Sequence, residues 1–186
     1  SIGLLEQIYG QLEQKLKQEG LDRVYAQIEE PLIEVLANME YRGVYVDQAY
    51  LNKLIVEYDQ NIRELEQEIF ELCGEKFNLN STQQLASILY EKLKLTPTKR
   101  TKTGYSTDAS ALSAIYGQSP VIAKILDYRE LTKLKNTYID VLPKLVEPRD
   151  GRIHTTYNQM GTTTGRISSN DPNLQNIPIR TSLGKK

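Results

Sequence analysis

Apolar residues fall into helix-spaced stripes over most of this chain and into a two-residue alternation only near its end. Ile2, Leu5, Ile8, Tyr9, Leu12 and Leu16 form the first stripe, which Gly20 ends. A second helical stretch over 22–39 carries Pro31 in its middle. A proline there removes a backbone donor and clashes with the preceding turn, so two short helices are expected to meet near Glu30. Residues 42–47 read as a turn and a short extended segment, with Gly43 free to take a positive φ and Asp47 placed to cap the next helix. Leu51, Leu54, Ile55, Tyr58, Ile62, Leu65, Ile69 and Leu72 then recur at three- and four-residue steps, predicting one long helix over 48–73 with a glutamate-rich outer face. Ser81 and Gln84 make a capping box ahead of a short helix carrying Leu85, Ile88 and Leu89.

Ser106 or Thr107 opens another helix through Ile115, stopped by Gly117. Ser119-Pro120 is a strong helix start, and the helix after it is expected to reach about Val146 with Ile122, Ile125, Leu126, Leu131, Leu134, Tyr138, Leu142 and Leu145 inward. Residues 151–159 alternate, Ile153, Thr155, Tyr157 and Gln159 against Arg152, His154, Thr156 and Asn158, which reads as a strand. A short strand through Arg166 and Ile167 can pair back on it. The fold class is mostly α, an α+β chain of long helices followed by a few antiparallel strands.

Residues 162–181 obey neither period. The run TTTGRISSNDPNLQNIPIRT crowds hydroxyls, carboxamides and two arginines around four aliphatic residues. Arginine offers a rigid fork of donors, Asn and Gln pair a donor with an acceptor, and Ser and Thr do either. That set suits phosphate, sugar and base-edge contacts. It also suits a turn-rich loop whose amides satisfy its own backbone, and composition by itself favours the loop. Asp171, followed by Pro172, reads as a turn former, and His154 as a hydrogen-bonded structural histidine.

Composition narrows the chemistry. One cysteine and one histidine among 186 residues leave no internal disulfide framework and no all-His or Cys/His metal site, and point to a reducing cytoplasm. No apolar run approaches membrane-spanning length, and a signal-peptide pattern is not expected at the N-terminus. The net charge of −1 hides an asymmetry: residues 1–75 hold 6 Lys and Arg against 16 Asp and Glu, a balance of −10, while 76–186 hold 17 against 8, a balance of +9. A basic second half is the footprint of a nucleic-acid face, or simply of solvated helices. Lys92, Lys94, Lys99, Arg100 and Lys102 come with no acid between Glu91 and Asp108. This reads as a mobile basic loop able to follow phosphates, with too few aromatics for a stacking platform. Arg129, Lys133 and Asn136 share one helix face, which by itself reads as solvated with an ion pair to Glu130 or Asp127.

Five segments in order, FNLNSTQQL (77–85), TKTGYST (101–107), YRELTKLKNTYID (128–140), GRIHTTYNQ (151–159) and TGRISSNDPNLQNIPIRT (164–181), resemble family A DNA polymerases of the bacterial DNA polymerase I type. The likeness covers the chain from Glu30 onward and is weaker before it. It implies the end of an exonuclease-like domain or a linker helix over 1–29, a thumb over 30–147 and the start of the palm over 148–186. It implies contacts to double-stranded primer–template DNA from Asn80, Ser81, Lys99, Arg100, Lys102, Thr103, Ser106, Arg129, Lys133, Asn136, Thr164, Arg166, Asn173, Gln175 and Asn176. Arg166 would reach the minor-groove edge near the primer terminus. The family's first catalytic aspartate is expected beyond Lys186, so no catalytic residue, metal ligand or cofactor site is assigned here. Mg²⁺ and the remaining palm and fingers belong to the complete enzyme, and the chain alone is expected to be inactive. The alternatives are a non-catalytic DNA-binding or regulatory module, and a helical scaffold, which has little use for so many amides.

Overall fold

Asp47 begins the element on which the larger part of the fold is built. In the computed structural model, which describes residues 2–101 and 104–177, its Oδ1 accepts the Tyr50 N–H at 2.9 Å and starts the helix Gln48–Cys73. We number the helices α1 (Ile2–Gln18), α2 (Asp22–Val24), α3 (Glu30–Arg42), α4 (Gln48–Cys73), α5 (Thr82–Ala86), α6 (Ala109–Ala114) and α7 (Pro120–Leu134). The strands are β1 (Val44–Tyr45), β2 (Arg100–Thr101), β3 (Gly104–Tyr105), β4 (Arg152–Ile153), β5 (Thr156–Asn158) and β6 (Ser168–Asn170). This is the mostly helical α+β class expected from the sequence.

The chain divides into two compact units, residues 2–46 with 145–177, and 47–144. In the first of these α3 contacts β5 and β1 pairs with β4. In the second unit α4 packs along α7. Ile69, Cys73, Leu85, Leu89, Leu112, Ile122 and Ile125 form its main core, and Leu54, Tyr58, Leu131, Leu134 and Ile139 a neighbouring one. The stripe on α4 holds through Ile69, then turns: Leu72 is 44% exposed and Cys73 is inside. On α7 the core also takes Val121 and Tyr128, and beyond its end Ile139, while Leu145 lies at the surface.

Helix ends differ from expectation in three places. No break occurs at Pro31. Residues 25–29 instead form a π turn, with the Glu30 N–H bonded to Tyr25 O, and the helix continues through the proline. Shifting to the wider turn just ahead of the proline accommodates its missing donor. Asp108, rather than Ser106 or Thr107, caps α6. The helix begun at Ser119-Pro120 runs as α to Leu134, as a π turn over Lys135–Ile139, and resumes only as a 3₁₀ turn over Leu142–Leu145.

In the first unit β4 and β5 are one alternating stretch that changes partner at His154-Thr155. β4 pairs antiparallel with β1, Val44 opposite Ile153, and β5 pairs with β6, Tyr157 opposite Ser169. The returning strand is therefore Ser168–Asn170, not Arg166-Ile167. Thr155 makes the corner: its buried hydroxyl lies 2.9 Å from Asn170 O and 2.7 Å from Pro172 O. Two glutamates tie these strands to the preceding helical run. Glu40 Oε1 accepts the Tyr157 N–H at 2.6 Å, and Gln159 Nε2 donates to Glu29 O and Oε2, each at 3.0 Å. The apolar stripe of α1 is largely exposed, Leu5 at 69% and Leu12 at 57%.

Candidate nucleic-acid interface

The basic stretch after Lys92 folds into the hairpin β2–β3, Arg100 opposite Tyr105 and Thr101 opposite Gly104. Lys102 and Thr103 lie outside the described residues. Each described cation of the hairpin has an internal partner. Lys99 Nζ sits 2.8 Å from Asp108 Oδ2. The Arg100 guanidinium carbon is 4.9 Å from the Tyr105 ring centroid, and its Nη2 donates to the Tyr105 hydroxyl at 2.9 Å. Tyr105 in turn meets Tyr90 edge-on, centroids 5.4 Å apart, and the Tyr90 hydroxyl donates to Ser106 O at 2.7 Å. Few aromatics are present, as the sequence suggests, but these two brace the hairpin rather than offering a stacking surface.

Arg129 comes to the same place from α7. Half-buried, it donates to the carbonyl oxygen of buried Thr107 and lies 3.4 Å from that residue's hydroxyl. Neither Asp127 nor Glu130 is its partner. Burial lowers its pKa from the usual arginine value, opposed by the Asp108 carboxylate. The Asp108 carboxyl is itself held far below the ordinary range by Lys99 first, then by Ser110, the Ala111 N–H and Ser106. Thr82, Gln83, Ser87, Ser106, Thr107, Asp108 and Arg129 line an open cleft of about 730 Å³ here. Lys133 and Asn136 are exposed further along the helical run.

Ser81 caps α5, its Oγ accepting the Gln84 N–H at 3.3 Å. The reciprocal half of the expected box does not form. Ser81 N–H already donates to Asn78 O at 3.0 Å, so the Gln84 side chain accepts from Asn78 N at 2.8 Å instead. Asn80 is exposed, its backbone N–H held by Asn78 Oδ1 at 2.9 Å.

In the other unit the run from Thr162 folds as a series of turns. Thr162 Oγ1 donates to Arg166 O at 2.7 Å and Thr164 Oγ1 to Thr162 Oγ1 at 3.3 Å. Between them Gly165 takes φ +74°, a left-handed turn that a side chain disfavours. The turn leaves Arg166 exposed, its guanidinium without a partner among the described residues. Buried Ser169 accepts the Leu174 N–H at 3.0 Å, Asn173 Oδ1 accepts the Gln175 N–H at 3.0 Å, and Gln175 Nε2 donates to Ile167 O. The turn-rich-loop reading of the run holds in part: Asn173 and Gln175 have backbone work, and they and Asn176 are exposed. The motif's tail, residues 178–181, lies outside the described residues.

His154 is pinned at both ring nitrogens, Nδ1 2.7 Å from Glu40 O and Nε2 2.9 Å from Asp150 Oδ2. Both partners accept, so the doubly protonated ring suits the site and its pKa is raised, chiefly by the Glu40 carbonyl and then by Asp150. Among the described residues no three His, Cys, Asp or Glu side chains come together to hold a metal ion, and no helix is long and apolar enough to cross a membrane. The residues that sequence reading missed are Asp108, Thr107, Tyr90 and Tyr105. An acid closing a sixteen-residue span of purely basic charge was the available signal for Asp108.

Among the described residues, Lys133 on the helical run and Arg166, Asn173, Gln175 and Asn176 on the later turns are exposed. The family model for DNA polymerase family A matches residues 48–186. The thermostable DNA polymerase I of Thermus thermophilus is 51% identical over 186 residues, covering 98% of this chain and 22% of the relative. DNA polymerase I of Chloroflexus aurantiacus is 47% identical, covering 100% of this chain and 20% of the relative. Among solved structures, the POL domain of Pol1 from M. smegmatis, in complex with DNA primer-template and dNTP, is similar at TM-score 0.78 and 41% identity, covering 94% of this chain and 31% of that one. The chain belongs to DNA polymerase family A. It spans about a fifth of the length of the curated relatives it matches.

Proposed function

We propose that within a longer polypeptide this chain is the thumb and first palm strands of a DNA-directed DNA polymerase of replication and repair, acting in the cytoplasm and gripping the primer–template duplex. The observation that carries the reading is Arg166, exposed on a turn whose neighbouring hydroxyls are engaged with one another. The primer-template held by the similar M. smegmatis POL domain supports it. Minor-groove acceptors are common to all correct base pairs, so a guanidinium aimed there tests pair geometry without reading sequence. Lys99 and Arg100, with Lys102, contact phosphates; neutralising one reduces the salt slope of duplex binding by roughly 0.9. Asn80, Ser81, Thr103, Ser106, Arg129, Lys133, Asn136, Thr164, Asn173, Gln175 and Asn176 complete the DNA-facing set. Mg²⁺ is taken by carboxylates elsewhere in the whole enzyme, and this chain alone extends no primer.

The test is a double-mutant cycle in the complete enzyme. Arg166→Ala should cost about 1–3 kcal/mol in extension, with Arg166→Lys recovering part, since lysine keeps the charge and lacks the planar fork. A primer-terminal base without its minor-groove acceptor should penalise the wild type much more than the alanine variant. Simple addition of the two penalties refutes the contact. A parent reading frame lacking paired carboxylates would instead make this a non-catalytic DNA-binding module.

A further inference from the structure

Asp108 does two jobs with its two oxygens. Oδ1 accepts the Ala111 N–H and the Ser110 hydroxyl, each at 2.7 Å, which caps α6. Oδ2 lies 2.8 Å from Lys99 Nζ, across the foot of the hairpin. Its place is fixed from behind, because its own N–H donates to Ser106 Oγ at 3.2 Å while Arg129 holds the Thr107 carbonyl beside it. The carboxylate thus stands at a rigid helix start, while the lysine reaches it on a flexible stem. The pair is open to solvent, the two side chains 44% and 56% exposed.

We propose that Asp108 is an affinity-limiting counter-ion: it occupies the Lys99 ammonium in the DNA-free molecule, and a backbone phosphate must take the lysine from it. This rests on the reading of the hairpin as a phosphate contact. Lysine suits such an exchange, being a compact point charge with rotatable donors rather than a fork locked to one partner. When phosphate takes the lysine, Asp108 keeps its cap and loses its ion pair, so the energy of that pair is subtracted from binding. Exposed pairs of this kind shift an equilibrium by up to about five-fold, the range expected here.

Asparagine separates the two jobs. It caps helices as well as aspartate does, so Asp108→Asn keeps the Oδ1 contacts and removes only the charge facing Lys99. The 186-residue chain, Asp108→Asn, Lys99→Gln and the double variant are titrated with a short fluorescent duplex over about 50–300 mM NaCl. Urea midpoints confirm that each is folded, and Asp108→Ser, which also caps, stands in if Asn destabilises. Expected are a two- to five-fold tightening for Asp108→Asn at low salt, shrinking as salt rises, a weakening for Lys99→Gln, and loss of most of the Asp108→Asn gain in the double variant. An undiminished gain in the double variant means general repulsion and overturns the inference, as does no gain where Lys99→Gln weakens binding. If Lys99→Gln changes neither affinity nor salt slope, the phosphate contact itself fails, and the counter-ion role with it.

Discussion

Gly43 takes φ +64° and ψ 177° where α3 turns into β1, a backbone region that only glycine occupies without strain. A Cβ added there would stand 2.8 Å from His154 Cε1 and 3.0 Å from each ring nitrogen. The ring cannot simply yield, because Glu40 O and Asp150 Oδ2 hold its two nitrogens at 2.7 and 2.9 Å. Gly43→Ala therefore meets two penalties, about 1–3 kcal/mol for the backbone and about 1–3 kcal/mol for overpacking against the imidazole. They are separable. In a His154→Ala background the overpacking vanishes and the backbone strain remains, so the pair should show a coupling of about 1–3 kcal/mol. Urea unfolding of the chain, with amide exchange read at Val44, Tyr45, Arg152 and Ile153, follows the β1–β4 ladder that the substitution disturbs. A single variant within about 0.5 kcal/mol of wild type refutes the conformational argument. Equal costs in both backgrounds refute the steric one.

The remaining predictions use the same chain. The His154 pKa lies above its ordinary value of 6.5, raised first by the Glu40 carbonyl, so its stabilisation is complete below the unfolded pKa and lost as pH rises through the folded one. NMR titration of this one histidine should give a midpoint above 6.5, and the stability of its unit should fall as pH is raised past it; a midpoint below 6.5 refutes the pinning. Arg129→Ala strands the buried Thr107 carbonyl and should cost about 1–3 kcal/mol in urea unfolding, with Arg129→Lys milder; no loss means water replaces the guanidinium. Leu89 is fully buried in the main core, so Leu89→Ala should cost about 2–5 kcal/mol, and a near-neutral result would mean that core collapses around the gap.

What the sequence determined by itself was local. The bounds of α4, the caps at Asp47, Ser81 and Ser119, and the alternation of residues 151–159 were legible because each depends on neighbours within four positions. The order of motifs was legible for the same reason, and with it the family. Tertiary structure decided which partner each group meets. Tyr105, not an acid, lies against Arg100, and Asp108 faces Lys99. The Thr107 backbone takes Arg129 although Asp127 and Glu130 are its near neighbours in sequence. Residues 152–153 pair with a strand more than a hundred positions earlier, while 156–158 turn to 168–170. A helix period states which face is buried and a cap states where a turn begins. Neither carries a distance to a distant residue, so the pairing of charges and the choice of strand neighbours became visible only once chain closure had brought those groups together.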